Sequence, residues 1–160
     1  MSNMRVGTSG KLLFKEWEGL IPYEYLDSGG APTIGIGHLL TPSERRSGKL
    51  TIAGVTVRYK DELTENQCWA LLDQDLDPVE ALINNSVQQI LSQNQFDALV
   101  SFAFNVGNGA FLDSTLLKVL NNGNFAGVPD QMRRWVYDNG KKVPGLVNRR
   151  EKEVALWNTP

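Results

Sequence analysis

One cysteine and one histidine stand among 160 residues. With Cys68 alone, no disulfide can close within the chain. With His38 alone, a histidine-rich zinc site is excluded, and a Ser-His-Asp triad would have to use that one ring. Long apolar runs are also missing, so no segment is suited to span a bilayer. The start, Met1 to Gly10, is polar and lacks the apolar core of a secretion signal, so synthesis in the cytoplasm is expected. There are no repeats, no low-complexity segment and no linker, so a single domain over 1–160 is expected, in two lobes. The net charge is only −2, but it is uneven. Residues 1–100 hold 8 basic and 13 acidic side chains, whereas residues 101–160 hold 8 and 5. The basic excess lies in Arg133, Arg134, Lys141, Lys142, Arg149, Arg150 and Lys152. Such a cluster suits either a solvated surface or attraction of a polyanion.

What is present is mostly helical patterning around one β-like stretch. Leu13, Trp17, Leu20 and Ile21 recur at helical spacing, so an amphipathic helix is expected over about 10–20, stopped by Pro22. Tyr23 to Leu26 has strand composition, Ser28-Gly29-Gly30 marks a turn, and Pro32 to Ile36 alternates like a strand. Leu50 to Ala53 and Val55 to Tyr59, parted by Gly54, suggest a hairpin, and residues 42–62 look β-like. Thr64 and Gln67 form a capping box, so a helix follows through Leu82, with a kink or restart at Pro78. A second box, Ser92 to Gln95, opens a helix apolar nearly all round, hence buried, that ends at Gly107-Asn108-Gly109. Ser114 starts a short helix ending at Asn121-Asn122-Gly123. Pro129 suits the first turn of a helix carrying Met132, Trp135 and Val136, and a last helix is expected from about Leu146 to Trp157.

The residues able to do chemistry gather at the front. Glu18 stands near a helix end, Asp27 beside a turn, and Thr33 in a glycine-alternating strand. Two carboxylates with a hydroxyl are what water-mediated glycosidic cleavage requires. Each also has an ordinary use. A glutamate at a helix end is commonly a solvated charge, Asp27 suits the turn that follows it, and Thr33 suits a strand.

Glu18-Gly19-Leu20, Tyr25-Leu26-Asp27 and Thr33-Ile34-Gly35-Ile36-Gly37-His38-Leu39-Leu40-Thr41 together resemble the phage-type lysozymes, the family of the T-even phage lysozyme and the lambdoid phage endolysins. The resemblance continues through Asp73 to Asp77, Asn94 to Leu99, Phe104-Asn105-Val106-Gly107, Trp135 and Gly145 to Arg150, in order along nearly the whole chain. It implies an α+β, mainly α-helical lysozyme-like fold. A small N-terminal β lobe of about 23–62 and a connecting helix of about 64–84 would accompany a larger helical lobe of 1–22 plus about 85–160. An active-site cleft would lie between the lobes. It implies hydrolysis of the β-1,4 bond between N-acetylmuramic acid and N-acetylglucosamine in peptidoglycan, with inversion. By position, Glu18 would be the general acid, Asp27 the base that activates water, and Thr33 the hydroxyl that orients it. The acid must stay protonated near neutral pH, which partial burial favours. Leu39, Phe104 and Asn105 match substrate contacts, and Arg149 matches an arginine that pairs with the acid. His38 and Asp75 match a structural pair.

No cofactor, metal or nucleic acid is implied, and a monomer is expected. An endolysin of this kind would be made in the host cytoplasm and would depend on a separate holin to reach the cell wall. Two other functions fit the same residues: a peptidoglycan-binding protein that keeps the fold without turnover, and a lytic transglycosylase. The latter needs the acid but no water-activating carboxylate, and Asp27 with Thr33 argues against it.

Overall fold

In the computed structural model, which describes residues 3–160, helix α1 spans Thr8–Glu18. It ends earlier than Pro22. Gly19 takes a left-handed conformation, φ 74°, and its N–H closes the last turn on Lys15 O at 2.9 Å. Pro22 lies instead within strand β1, Ile21–Leu26. That strand is at the edge of a three-stranded antiparallel sheet, ordered β1-β2-β3, where a missing donor is tolerated. Strand β2 is Pro32–Gly35 and β3 is His38–Leu39. Gly35 and Gly37 have φ of 70° and 71°, so they turn the chain, and the strand expected through Ile36 stops one residue sooner.

The β-like reading of 42–62 holds only in part. Pro42–Ser47 is helix α2. Thr41 Oγ1 accepts from Glu44 N at 3.1 Å, Glu44 Oε1 accepts from Thr41 N at 2.8 Å, proline opens the first turn, and Gly48 closes the last. The expected hairpin follows as β4, Lys49–Ile52, and β5, Val55–Arg58. Residues Leu13–Asp77 form one compact unit. Its core includes Phe14, Ile34, Ile36, Leu50, Cys68, Leu71 and Leu76.

Helix α3, Glu65–Ser86, opens on the Thr64 and Gln67 box, with bonds of 2.8 and 3.1 Å. It neither restarts nor breaks at Pro78. Leu76, Val79 and Ile83 are buried on both sides of the proline, and their burial outweighs one missing helical bond.

The second compact unit joins the segment up to Leu12 with Pro78–Pro160. Its centre is helix α4, Gln93–Val106, in which Phe96 through Ala103 are all buried. The N-terminal segment is tied to this unit by buried carboxylates. Glu80 Oε2 accepts from Val6 N at 2.7 Å, and Asp97 Oδ1 accepts from Gly7 N at 3.1 Å. Burial pushes the Asp97 carboxyl up, against the lowering effect of hydrogen bonds from Gly7 N, the Gln93 side chain and Gly10 N. The chain turns at Gly107 into a further helix, α5, Asn108–Leu112, where a plain stop was expected. Then come α6, Thr115–Asn121, and α7, Val128–Met132, which ends before Trp135 and Val136. Strands β6, Tyr137–Asp138, and β7, Lys141–Lys142, form a small hairpin. Its turn is Asn139-Gly140, both at positive φ, a pair that favours this geometry and went unread in the sequence. Helix α8, Pro144–Trp157, packs along α4.

Candidate active site

Glu18 is the last residue of α1, half-buried, and the left-handed Gly19 fixes where the helix lets go of it. Gly37, in the β2–β3 turn, presses against it. A Cβ at Gly37 would stand 2.9 Å from both Cγ and Oε2 of Glu18.

Asp27 follows β1 in the turn to β2. Its Oδ1 accepts from Gly29 N at 2.9 Å and Ala31 N at 2.8 Å, and the backbone closes on itself through Gly30 N to Asp27 O at 2.9 Å. Those bonds fix the carboxylate plane. Among the described residues no protein donor takes Oδ2, which leaves that oxygen available for chemistry.

Thr33 is 1 % exposed, and its Oγ1 donates to Ala31 O at 2.9 Å. With the hydroxyl proton committed, the lone pairs of Oγ1 remain as acceptors. Thr33 stands opposite Tyr25 on β1 and Leu39 on β3, so the three share one face of the sheet. Leu39 is 58 % exposed there.

Tyr25 is a site residue that sequence reading missed. Its hydroxyl donates to Glu18 O at 3.4 Å. Burial pushes the phenol up, and the charges of Glu18 and then Asp27 push it further, so both carboxylates reach it. Its place two residues before Asp27 on a strand was the signal, since alternate strand residues share a face.

His38 Nδ1 lies 2.8 Å from Asp75 Oδ2, and Nε2 lies 2.9 Å from Glu44 Oε1. Glu44 was also missed, though the Thr41-Pro42-Ser43-Glu44 box announced it. Burial lowers the imidazole, but the hydrogen bonds and charges of Asp75 and then Glu44 outweigh it, raising His38 to about 9. The folded value lies above the ordinary 6.5, so the protonated ring stabilises the fold. That contribution is complete below pH 6.5 and is lost as pH rises through about 9. It is worth about 3 kcal/mol by linkage. Urea unfolding should therefore show stability falling across that window in the wild-type chain and not in His38→Gln. Parallel pH profiles for the two would refute the pairing as the cause.

The other expected site residues lie on the second unit. Phe104 is half-buried and Asn105 exposed, both in the last turn of α4. Arg149 is 5 % exposed; its Nε donates to Glu153 Oε2 at 3.3 Å and its Nη2 to Ser101 O at 3.1 Å. Arg150 is also buried, and Arg133 is paired with Glu151 at 2.9 Å. Three residues of the basic cluster are therefore tied to carboxylates, while Arg134, Lys141 and Lys142 stay exposed.

The phage lysozyme family model matches residues 15–153. A SAR-endolysin of Escherichia phage Mu is 45 % identical over 134 residues, covering 84 % of this chain and 70 % of that protein. An endolysin of Acyrthosiphon pisum secondary endosymbiont phage 1 is 36 % identical over 160 residues, covering 98 % of this chain and 99 % of its own length. A solved structure of a P22 lysozyme variant shares the fold, with a TM-score of 0.81 and 33 % identity, covering 98 % of this chain and all of that one. The α+β fold is thus lysozyme-like, and the chain belongs to the phage lysozyme family.

Proposed function

We propose that this protein is a muramidase endolysin, a glycoside hydrolase that cleaves the β-1,4 bond between N-acetylmuramic acid and N-acetylglucosamine and so opens the bacterial cell wall. Its family and its endolysin relatives support that reading. The observation that carries it is the Glu18, Asp27 and Thr33 set, gathered on one unit around Tyr25.

In this reading Glu18 protonates the glycosidic oxygen as the carbon–oxygen bond breaks. A water attacks the anomeric carbon from the opposite face, and Asp27 Oδ2 takes its proton. Thr33 Oγ1, its own hydrogen held by Ala31 O, accepts the second hydrogen of that water and points its lone pair at the sugar. Inverting enzymes hold their carboxyl groups roughly 6.5–9.5 Å apart to seat this water. Leu39 on the first unit, and Phe104 and Asn105 on the second, are the proposed glycan contacts; Arg149 is held by Glu153 and Ser101, and His38 with Asp75 holds the loop that carries Gly37. The protein acts as a monomer without cofactor. Dependence on a separate holin for access to the wall belongs to the same proposal.

Product analysis tests the chemistry. Digested sacculi should gain reducing ends, initially in the α configuration by NMR, without anhydro sugars by mass spectrometry. Anhydro products would replace the water step by transglycosylation, and unchanged sacculi would leave only a binding protein. Added to Gram-negative cells, the protein should lyse them after chloroform treatment and spare them before it. Light scattering should return the mass of one 17.8 kDa chain.

A further inference from the structure

Arg150 is the largest side chain that the fold buries completely, at 1 % exposure, and the reaction above makes no use of it. Its guanidinium is engaged on every edge. Nε donates to Trp135 O at 2.9 Å, Nη1 to Glu153 Oε1 and Nη2 to Asn105 Oδ1. The Phe102 ring lies 5.1 Å from the guanidinium carbon. Glu153 has no exposure and also accepts from Ser101 Oγ at 2.5 Å and Arg149 Nε at 3.3 Å. A planar fork with this many fixed partners cannot turn.

Asn105 is the exposed end of this network. An arginine offers donors and no acceptor, so the Asn105 atom that faces it is the carbonyl oxygen. The NH2 group must face the other way. Among the described residues no protein acceptor takes its hydrogens. A free asparagine can present either its oxygen or its nitrogen by a half-turn of its amide. Arg150 removes that choice.

We infer that Arg150 is a positioning residue: it locks Asn105 as a donor-only contact that selects a carbonyl or carboxylate oxygen of the peptidoglycan strand. The inference rests on the endolysin reading. Peptidoglycan offers such oxygens in two places, the acetamido groups of the sugars and the stem peptides. An unlocked amide would accept a sugar hydroxyl equally well; the locked one favours groups that only accept. The buried ion network thus sets the polarity of one surface contact.

Asn105→Asp tests this directly. The aspartate still accepts from Arg150, so the network survives, but it presents an acceptor where the wild type presents donors. KM should rise about tenfold or more with kcat nearly unchanged. Asn105→Ala should lose less, because it removes the donor without opposing one acceptor with another. Arg150→Lys keeps a charge beside Glu153 but lacks the fork. Its Asn105 side-chain NH2 resonances should broaden by exchange between two amide orientations, and KM should rise. If that variant does not fold, the unaltered chain decides the lock: its Asn105 NH2 resonances should be sharp, and exchange broadening there would overturn it.

Binding to sacculi is measured in a Glu18→Gln background, so loss of turnover and loss of recognition are read separately. Hydrolysis by the unmodified chain tests the endolysin reading. Asn105→Asp binding as tightly as asparagine, or more tightly than Asn105→Ala, would overturn this one. Repeating the binding on glycan strands stripped of stems separates the sources. A defect on both substrates assigns the acetamido oxygen, and a defect only on stem-bearing strands assigns the stem.

Discussion

Glu18→Gln is expected to lower kcat on peptidoglycan by about 10³-fold while leaving the protein folded and bound to sacculi. Glutamine keeps the volume of the side chain and its place at the end of α1, beside Gly37. It cannot give up a proton to a departing sugar oxygen. What remains is positioning, which the rest of the site supplies unchanged. Asp27→Asn should fall comparably for a different reason. Asparagine Oδ1 can still accept from Gly29 and Ala31, so the turn persists, but the free edge of the side chain no longer removes a proton from water. The two variants therefore separate chemistry from architecture. Steady-state release of reducing ends, paired with thermal melting, measures both. A Glu18→Gln protein that melts normally and retains more than about a tenth of wild-type turnover would remove Glu18 from the acid's role.

The elements that carry Glu18, Asp27 and Thr33 could be read from the sequence because the features that place them are local. A helix end, a turn and an alternating strand lie within a short stretch from Glu18 to Thr33, and each has its own composition. The capping boxes at Thr64 and Ser92 were legible for the same reason, since both partners sit three residues apart. Helix α2 was equally local and was missed. The β-branched residues of the following hairpin coloured the whole of 42–62, although Thr41 and Glu44 spelled a helix start. Gly35 and Gly37 read as strand residues because composition does not show the sign of φ. Other features depend on distant partners. Nothing near Arg149 and Arg150 says they are buried; their environment is made by Ser101, Asn105 and Trp135, from another helix and a loop. The restart allowed at Pro78 is absent on the same ground, since packing along α3 decides whether a proline breaks it.

Gly37→Ala is expected to cost activity far more than stability, and Gly35→Ala shows why. Both glycines have left-handed φ, 71° and 70°, so alanine at either meets the same backbone penalty, about 1–2 kcal/mol. Their surroundings differ. At Gly35 an added Cβ meets Leu71 Cδ2 at 3.6 Å, an ordinary contact. At Gly37 it meets Cγ and Oε2 of Glu18 at 2.9 Å. A glutamate side chain is flexible and can swing aside, so the clash is relieved without unfolding the sheet. The relief moves the group proposed to protonate the glycosidic oxygen. A displacement on the order of 1 Å at a reacting group lowers turnover about 10²-fold. Gly37→Ala should therefore melt within a few degrees of Gly35→Ala, yet turn over about 100-fold more slowly. KM should be similar in both, since neither substitution removes the proposed glycan contact at Leu39. Equal kcat in the two variants would mean that Glu18 accommodates the methyl group without leaving its working position. The close approach of Gly37 would then be incidental to catalysis.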